Sequence, residues 1–415
     1  MSVQELEGPE DGQVTITGPL PSINAYVMAN TLLLVSVIIP ESVTSIGAWA
    51  FRGCTGLISV HIPDSVSSIG LGAFEGCTGL TSITFPGSIT SIGAWAFHGC
   101  TGLISVHIPA SVTSIGEGAF RRCFRLVSVK IPGSVTSIEG YAFFECIGLT
   151  TVHIPDSVTS IGFVAFEGCT GLTSITFPGS LTQIDRGAFR GCTGLTSVHI
   201  PGSVTSIGAW AFRGCTGLTS ITFPGSLTQI GEGAFRGCTR LLSVVIPESV
   251  TSIGIAAFFD CTGLTSVHIP DSVTSIGAWA FEGCTGLTSI TFPDSVSSIG
   301  LGAFSGCAGL TSVHIPDSVT SIGQEAFRDC TELMKISMPS TIPSRRLVTD
   351  ANYIRTELMT HKTWKDVAKY MRIPRSVKED AVNIILTLKR GSTLPLEMIL
   401  HILFQCTTGY KLLSK

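Results

Sequence analysis

Charged residues are scarce in this chain of 415 residues, and long apolar runs are missing. Only 13% of the residues are charged, whereas 44% are hydrophobic, and the formal net charge is −4. Disordered proteins combine low hydrophobicity with high charge, so this composition excludes a mainly disordered chain. No run of about 18 uncharged apolar residues occurs, because the best stretch, 23–39, is interrupted by asparagine, threonine and serine. We therefore predict no membrane-spanning helix.

A basic targeting region is also missing from the start of the sequence. The first residues read MSVQELEGPEDG and contain no lysine or arginine. A secretory signal begins with a basic region followed by an apolar one. We therefore expect no secretory signal and a cytoplasmic location.

Motifs that carry catalysis or hold metals are absent as well. The sequence contains no GxGxxG that opens a helix, no phosphate-binding P-loop, no GxSxG elbow, no HExxH and no CxxC paired with histidine. Serine, threonine and histidine recur in regular columns. We therefore expect these side chains to be spread along a surface and not to meet in a pocket. We predict no catalytic residue, no cofactor, no metal site and no small-molecule substrate, and we expect a protein that is not an enzyme.

What the sequence does contain is a repeat of 23 residues. Thirteen of the 14 cysteines recur at this interval, from Cys54 to Cys330, and only Cys406 lies outside the series. Prolines from Pro40 to Pro339 keep the same interval. The unit reads I-P-x-S-V-T-S-I-G-x-x-A-F-x-G-C-T-G-L-T-S-V-x. A fixed period of this length is typical of a solenoid of stacked units.

Each part of the unit predicts a local structure. The segment L-T-S-V-x-I is rich in β-branched residues and predicts a short strand, which the following proline ends. A turn is expected at the glycine after S-V-T-S-I, and A-F-x-G-C predicts a tight single-turn or 3₁₀ element. We expect the phenylalanines to stack into a spine. The cysteines are expected to form a buried apolar column of reduced thiols, since one cysteine per unit does not suit a disulfide framework.

On these residues the chain resembles the BspA-like leucine-rich repeat family, whose motif is L-x-x-I-x-I-P-x-x-V-x-x-I-G-x-x-A-F-x-x-C. Local departures are Glu139 and Asp185 at the turn glycine, and Phe124, Arg125 and Ile147 at the T-G pair. The resemblance implies an α/β-type repeat solenoid, a leucine-rich repeat with a curved parallel sheet. It also implies strands on the concave side and use in binding instead of catalysis.

Four segments are predicted along the chain. They are a flexible acidic N-terminus (1–13), a degenerate capping repeat (14–38), thirteen 23-residue repeats (39–338) and a small basic helical C-terminal domain (339–415). The helical prediction rests on a capping box at Ser376 and Glu379 with apolar residues on one face behind it. Residues 40–338 carry 12 basic and 19 acidic residues, whereas 339–415 carry 13 basic and 6 acidic residues. We expect no nucleic-acid partner for this basic segment, because 364–380 lacks the turn glycine and the basic recognition face of a helix-turn-helix.

The outward strand position, here called the strand column, supplies the main candidate binding residues. We predict that a protein partner of unknown identity binds this column on the concave side, through His61, His107, His153, Thr176, His199, Thr222, His268 and His314. The central part, His153 to Thr222, is expected near the middle of the binding face. Histidines two or more repeats apart are too sparse to share a metal ion. The alternation of histidine has two readings, a pH-sensitive binding surface or the trace of a 46-residue duplication.

A second candidate surface, here called the lateral edge, carries tryptophan before Ala-Phe in four repeats: Trp49, Trp95, Trp210 and Trp279. Exposed aromatics can anchor a partner, but these rings can equally pack on the next repeat. The sequence therefore leaves both roles open for the lateral edge.

One more resemblance concerns the C-terminal segment. Residues 394–406, LPLEMILHILFQC, are similar to the opening of an F-box through Leu394, Pro395, Glu397, Ile399, Ile402 and Leu403. Three functions are therefore carried forward. The first is a non-enzymatic protein-binding scaffold, the second is a substrate adaptor of a ubiquitin ligase, and the third is a surface adhesin.

Overall fold

The computed structural model describes residues 13–16, 21–339, 342 and 357–358, and these form a parallel β-solenoid with one coil, or rung, per 23-residue repeat. Two series of short strands run along it. The first sheet contains the strands Gln13–Thr15, Ser36–Ile38, Ser59–His61, Ser82–Thr84, Ser105–His107, Ser128–Lys130, Thr151–His153, Ser197–His199, Ser220–Thr222, Ser243–Val245, Ser266–His268, Ser289–Thr291, Ser312–His314, Lys335–Ser337 and Glu357–Leu358. The second sheet contains the strands Ser22–Ile23, Ser45–Ile46, Ser68–Ile69, Ser91–Ile92, Ser114–Ile115, Ser137–Ile138, Ser160–Ile161, Gln183–Ile184, Ser206–Ile207, Gln229–Ile230, Ser252–Ile253, Ser275–Ile276, Ser298–Ile299 and Ser321–Ile322.

The first sheet confirms the strand predicted from L-T-S-V-x-I. Its strands pair in parallel and in repeat register, as Val129 with Val152 and Lys130 with His153 show. Most strands expose their first and third side chains and bury the second, because side chains alternate across a strand. In the described part of the chain this sheet falls into five separately paired parts. Thr176 forms only an isolated bridge with His153 and belongs to no strand.

The second sheet was not predicted from the sequence. Its strands are only two residues long, Ser-Ile or Gln-Ile, and bury the isoleucine. It has one break, between Ser114–Ile115 and Ser137–Ile138, which separates a five-stranded part from a nine-stranded part. The break lies at the rung where Glu139 replaces the turn glycine. At Asp185, the other replacement, pairing continues and the Asp185 N–H donates to the Ile161 carbonyl at 3.0 Å.

The segment between the two sheets is a chain of turns, and no helix occurs in the residues that the structure describes. Each rung has left-handed backbone at two positions four residues apart, just before Ala-Phe and just before Cys. Trp210 (φ 59°) and Gly214 (φ 72°) are one such pair. A right-handed helix cannot run through such residues. The expected α/β character is therefore wrong for this part of the chain, which is all-β. Of the two structures predicted for A-F-x-G-C, the single turn is found and the 3₁₀ element is not.

The core is a stack of identical layers. The phenylalanines from Phe51 to Phe327 stack ring on ring, with centroids 5.1 to 5.6 Å apart. All thirteen repeat cysteines are buried free thiols. Each thiol donates to the carbonyl oxygen of the residue at the phenylalanine position one rung earlier, as Cys146 Sγ does to Phe120 at 3.1 Å. The predicted phenylalanine spine and buried cysteine column are thus confirmed.

Hydroxyl groups connect the rungs outside the core. Ser157 Oγ donates to the Val135 carbonyl at 2.6 Å, and Thr150 Oγ1 donates to the Val127 carbonyl at 3.1 Å. Equivalent bonds recur in most rungs, for example from Ser272 to Val250 and from Thr219 to Thr196. The repeated serine and threonine therefore satisfy backbone carbonyls between stacked units.

Several predictions concern residues outside the described part. The C-terminal helices, Cys406 and the F-box-like segment lie there, as do all of residues 1–12 and most of 339–415. Within 339–415 the strand Glu357–Leu358 pairs in parallel with Lys335–Ser337, so these two residues are not helical. Near the other end, Met28 is buried at the phenylalanine position of the predicted capping repeat. None of the described residues forms a helix of the length and hydropathy needed to cross a bilayer.

Two glycines of one rung allow a test of how tightly the rungs stack. A Cβ on Gly231 would lie 2.6 Å from Ala209 N and 2.7 Å from Gly208 C, whereas a Cβ on Gly225 would have no atom within 4 Å. We expect Gly231→Ala to destabilise the solenoid by about 2 kcal/mol. The cost should not be larger, because the backbone of another rung accommodates Asp185 at the equivalent position. Gly225→Ala should be neutral or stabilise the solenoid by up to about 1 kcal/mol, because alanine reduces the conformational entropy of the unfolded chain. Urea titration measures both, and equal effects of the two changes would contradict this account of the stacking.

Candidate functional site

The strand column lies on the exposed face of the first sheet. All eight predicted residues are exposed at the third strand position or its equivalent. The structure brings His153 beside Thr176 and His199 beside Thr222 in paired register. The others are placed singly along the same column: His61, His107, His268 and His314.

The residues beside the histidines of the column are of several types, and threonine is the most frequent. Ile38 pairs with His61, Thr84 with His107, Lys130 with His153, and Val245 with His268. His314 Nδ1 lies 2.7 Å from Ser337 Oγ, a hydrogen bond between neighbouring rungs. No three histidine, cysteine, aspartate or glutamate side chains of the described residues are close enough together to hold a metal ion. The column is a row of mostly hydrogen-bonding groups on the exposed face of the first sheet.

A groove of about 490 Å³ interrupts the column near its centre. It forms where the chain at 174–176 leaves regular strand pairing. Polar groups from three rungs line it together with apolar side chains: Ser128, Val129, Lys130, Thr151, Val152, His153, Ile154, Asp156, Thr176, Phe177, Pro178 and Gly179. Sequence reasoning missed the groove and did not single out Lys130 and Asp156, which line it, although Lys130 could have been noticed as the one lysine of the column.

The residue after each proline forms the rim beside the column, as Asp156 and Gly179 do at the groove. Around the centre this position is mostly glycine, and a Cβ would meet no atom within 4 Å at Gly87, Gly133, Gly179, Gly202 and Gly225. These glycines also lack left-handed backbone, so stacking does not require them. Toward the two ends the rim is acidic, with Glu41, Asp64, Glu248, Asp271, Asp294 and Asp317. The centre of the column is therefore the least obstructed part.

The lateral edge is built from residues in left-handed backbone. The four tryptophans have φ between 51° and 59°. Each lies over a glycine at the same position of the next rung, and a Cβ on Gly72 would be 2.5 Å from Trp49 Cδ1. The same contact joins Trp210 to Gly233 and Trp279 to Gly302. Packing on a glycine therefore explains why tryptophan and glycine alternate there.

Most of these rings also contact a second group. Trp49 stacks on Tyr26 with centroids 5.1 Å apart, and the Arg186 guanidinium lies 4.1 Å from the Trp210 ring centroid. Arg121 lies among aromatic rings, 4.7 Å from the Phe144 centroid and 5.2 Å from that of Trp95. Trp279 is the most open of the four, with 40% of its surface exposed. Packing accounts for Trp49, Trp95 and Trp210, and Trp279 is the best remaining anchor for a partner on this edge.

Charged side chains on the lateral edge are mostly matched. Arg122 Nε lies 2.7 Å from Glu145 Oε2, and Arg190 Nη1 lies 3.4 Å from Glu167 Oε1. Burial raises the pKa of Glu167, and the neighbouring Arg190 opposes that shift. Burial lowers the pKa of His98, while Glu75, with Oε1 3.6 Å from His98 Nδ1, acts in the other direction. These contacts connect rungs and do not form a converged catalytic arrangement.

Comparison with known proteins gives one family and several solved relatives. The model for the BspA type leucine rich repeat region matches residues 21–150, 136–265 and 252–347. A leucine-rich repeat protein from Bacteroides ovatus is 28% identical, with 87% of this chain and 97% of that chain covered and a TM-score of 0.67. One from Eubacterium ventriosum is 27% identical, with 71% and 82% covered and a TM-score of 0.51.

A leucine rich cell surface protein from Faecalibacterium prausnitzii is 30% identical, with 83% of this chain and 95% of that chain covered and a TM-score of 0.47. No curated protein matches the chain. The family model covers the rungs on which the strands, the phenylalanine stack and the cysteine column have been described. The chain therefore belongs to the BspA-type leucine-rich repeat family.

Proposed function

We propose that this protein is a non-enzymatic scaffold that binds a protein partner along the strand column. The observation that carries this proposal is the groove of about 490 Å³ at the centre of an exposed, polar, unobstructed sheet face. His153 and Thr176 lie at the groove, and His199 and Thr222 continue the column beyond it. The glycine rim lets a partner approach the sheet at this point.

The chemistry of the column favours hydrogen-bonded contacts. Imidazole and hydroxyl groups both donate and accept, and the serines at the first strand position add further hydroxyls. Apolar side chains, among them Val129, Ile154 and Phe177, also line the groove. An interface of this kind combines hydrogen bonds with apolar contact, and we expect a moderate affinity for the partner.

The two other functions differ in their support. The ubiquitin-ligase adaptor depends on residues 394–406, which lie outside both the described part of the chain and the family match. A surface adhesin would use the same column, so it differs from an intracellular scaffold in location and not in mechanism. Thirteen free thiols favour the cytoplasm, because oxidising compartments favour disulfides.

Four substitutions to glutamate test the column. We expect His153→Glu, Thr176→Glu, His199→Glu and Thr222→Glu together to leave the fold intact and to lower the unfolding free energy by no more than about 3 kcal/mol. All four side chains are exposed, so the cost comes from repulsion between glutamates on neighbouring rungs. Affinity for a partner captured by the unmodified chain should fall at least about tenfold, because four charges would be placed in a polar interface. Calorimetric titration of that partner measures the change.

Trp279→Ala is the matched control on the lateral edge. It should leave partner affinity within about twofold if the column binds. A partner that tolerates the four glutamates and loses affinity with Trp279→Ala would contradict the proposal and assign binding to the lateral edge.

A further inference from the structure

Lys130 is a single positive charge in the strand column. The described residues contain two lysines, Lys130 and Lys335, and both lie on the first sheet. Lys130 occupies the third, column position of its strand, whereas Lys335 occupies the first position. Both side chains are exposed. None of the ion pairs found among the described residues includes Lys130, in contrast to the paired arginines of the lateral edge.

Lys130 has a histidine of the column on either side. It pairs with His153 in the next strand, and its own strand pairs with Ser105–His107 in the preceding one. Neighbouring strands are about 4.8 Å apart, so these three side chains follow one another at about that spacing. An ammonium group and two imidazoles can each donate a hydrogen bond to the same type of acceptor. Three adjacent rungs therefore present donors to one oxygen-rich group.

The groove also contains a negative charge, Asp156, so the two ends of the site differ in charge. Asp156 follows the strand of His153 and lines the groove with Lys130. No ion pair joins Asp156 to Lys130 within 4 Å among the described residues, so the two charges are available to a ligand at separate points. The next acidic rim positions in sequence are Asp64 on one side and Glu248 on the other, several rungs away. Glycine or alanine occupies the rim in between, at 87, 110, 133, 179, 202 and 225.

We propose that the groove binds an acidic side chain of an extended peptide segment, with its carboxylate at Lys130 between His107 and His153. This inference rests on the proposed function and names the partner chemistry at its centre. Thr151 and Thr176 line the groove where the peptide backbone would lie. Asp156 would exclude a second carboxylate at the other end and accept a donor from the same segment. A segment of mixed charge with one acidic residue should therefore bind more tightly than a uniformly acidic chain, although both can place a carboxylate at Lys130.

The experiment uses the full chain, two N-acetylated probe peptides and amine labelling read out per residue by mass spectrometry. Hexaglutamate carries the proposed carboxylate, and hexaarginine is the control of opposite charge. Reading individual lysines is necessary because the basic residues of 339–415 will also attract hexaglutamate. Lys335, exposed on the same sheet, is the internal control.

At low ionic strength, where surface charges are least screened, saturating hexaglutamate should slow labelling of Lys130 at least threefold and that of Lys335 less than 1.5-fold. Hexaarginine should slow neither. Asp156→Asn should strengthen the protection by hexaglutamate, because one repelling charge is removed. Equal protection of both lysines, or none at Lys130, would overturn the inference. If the four-glutamate variant loses its partner while hexaglutamate does not protect Lys130, the two proposals separate. The strand column would remain the binding face, and the carboxylate site at Lys130 would be contradicted.

Discussion

Raising the pH from 7.5 to 9.5 should unfold the solenoid. Burial raises the pKa of Cys100, Cys146 and Cys215 to about 12, and it raises the pKa of the other repeat thiols too. An exposed cysteine in the unfolded chain has a pKa of about 8.5. Because the folded pKa is the higher one, the stability that depends on the neutral thiols is fully present below about pH 8.5. It is lost as the pH rises toward 12.

The number of thiols makes this effect large. Each costs about 1.4 kcal/mol of stability per pH unit above the unfolded pKa. At pH 9.5, one unit above the unfolded pKa, the thirteen thiols together remove about 18 kcal/mol, which is at least as large as the whole stability of a typical domain. Urea titrations at the two pH values measure this loss. Lysine and arginine stay protonated in this range, so cysteine dominates the change.

Cysteine-to-alanine variants provide the control. Replacing the central thiols, for example Cys169, Cys192 and Cys215, should flatten the pH dependence in proportion to the number removed. A thiol reagent should react slowly with native protein at pH 7.5 and rapidly after denaturation. A stability unchanged between pH 7.5 and 9.5, or rapid labelling of the native thiols, would show that the column is open to solvent.

Truncating one ring of the phenylalanine stack should destabilise the protein by about 3–5 kcal/mol, the usual range for a buried phenylalanine. Phe166 is fully buried and has ring centroids of Phe143 and Phe189 at 5.3 Å on either side. Phe166→Ala removes contacts with both neighbouring rungs and leaves a cavity between them. Urea titration followed by circular dichroism measures the loss.

The same rung supplies the matched control. Phe163 is 39% exposed and contacts the edge of Tyr141, with ring centroids 5.3 Å apart. Phe163→Ala should therefore cost less than about 1 kcal/mol. If the two alanine variants lost similar stability, the stack would not be the main link between rungs.

Much of the rung could be predicted because its signals repeat. The alternation around Val129 or Val198 predicts a strand with one buried and two exposed side chains, and the structure has this pattern. One phenylalanine and one cysteine per unit predict columns, since stacked units place equivalent residues on top of one another. The strand column could be predicted for the same reason, because the third residue of each strand must lie on the same face of the sheet.

Other features could not be predicted, for identifiable reasons. A two-residue strand such as Ser137–Ile138 is too short to show alternation, so the second sheet left no periodic signal. Left-handed backbone at Trp95 runs against the preference of bulky residues and is imposed by the stack. The groove at Thr176 depends on a local lapse in strand pairing, although its sequence matches the consensus.

The tryptophan–glycine contact bears on how a chain of near-identical units finds its correct partners during folding. Residues 42–57 and 203–218 are the same sequence, so distant rungs are interchangeable in their core. If two rungs paired one repeat out of register, Trp210 would lie against a rung that has no glycine at that position. A slip by two units can restore the contact, because it can bring Gly187 to Trp210 or Gly118 to Trp49. Chains that misfold by pairing wrong neighbours, or that exchange rungs between molecules, should therefore be displaced by 46 residues more often than by 23.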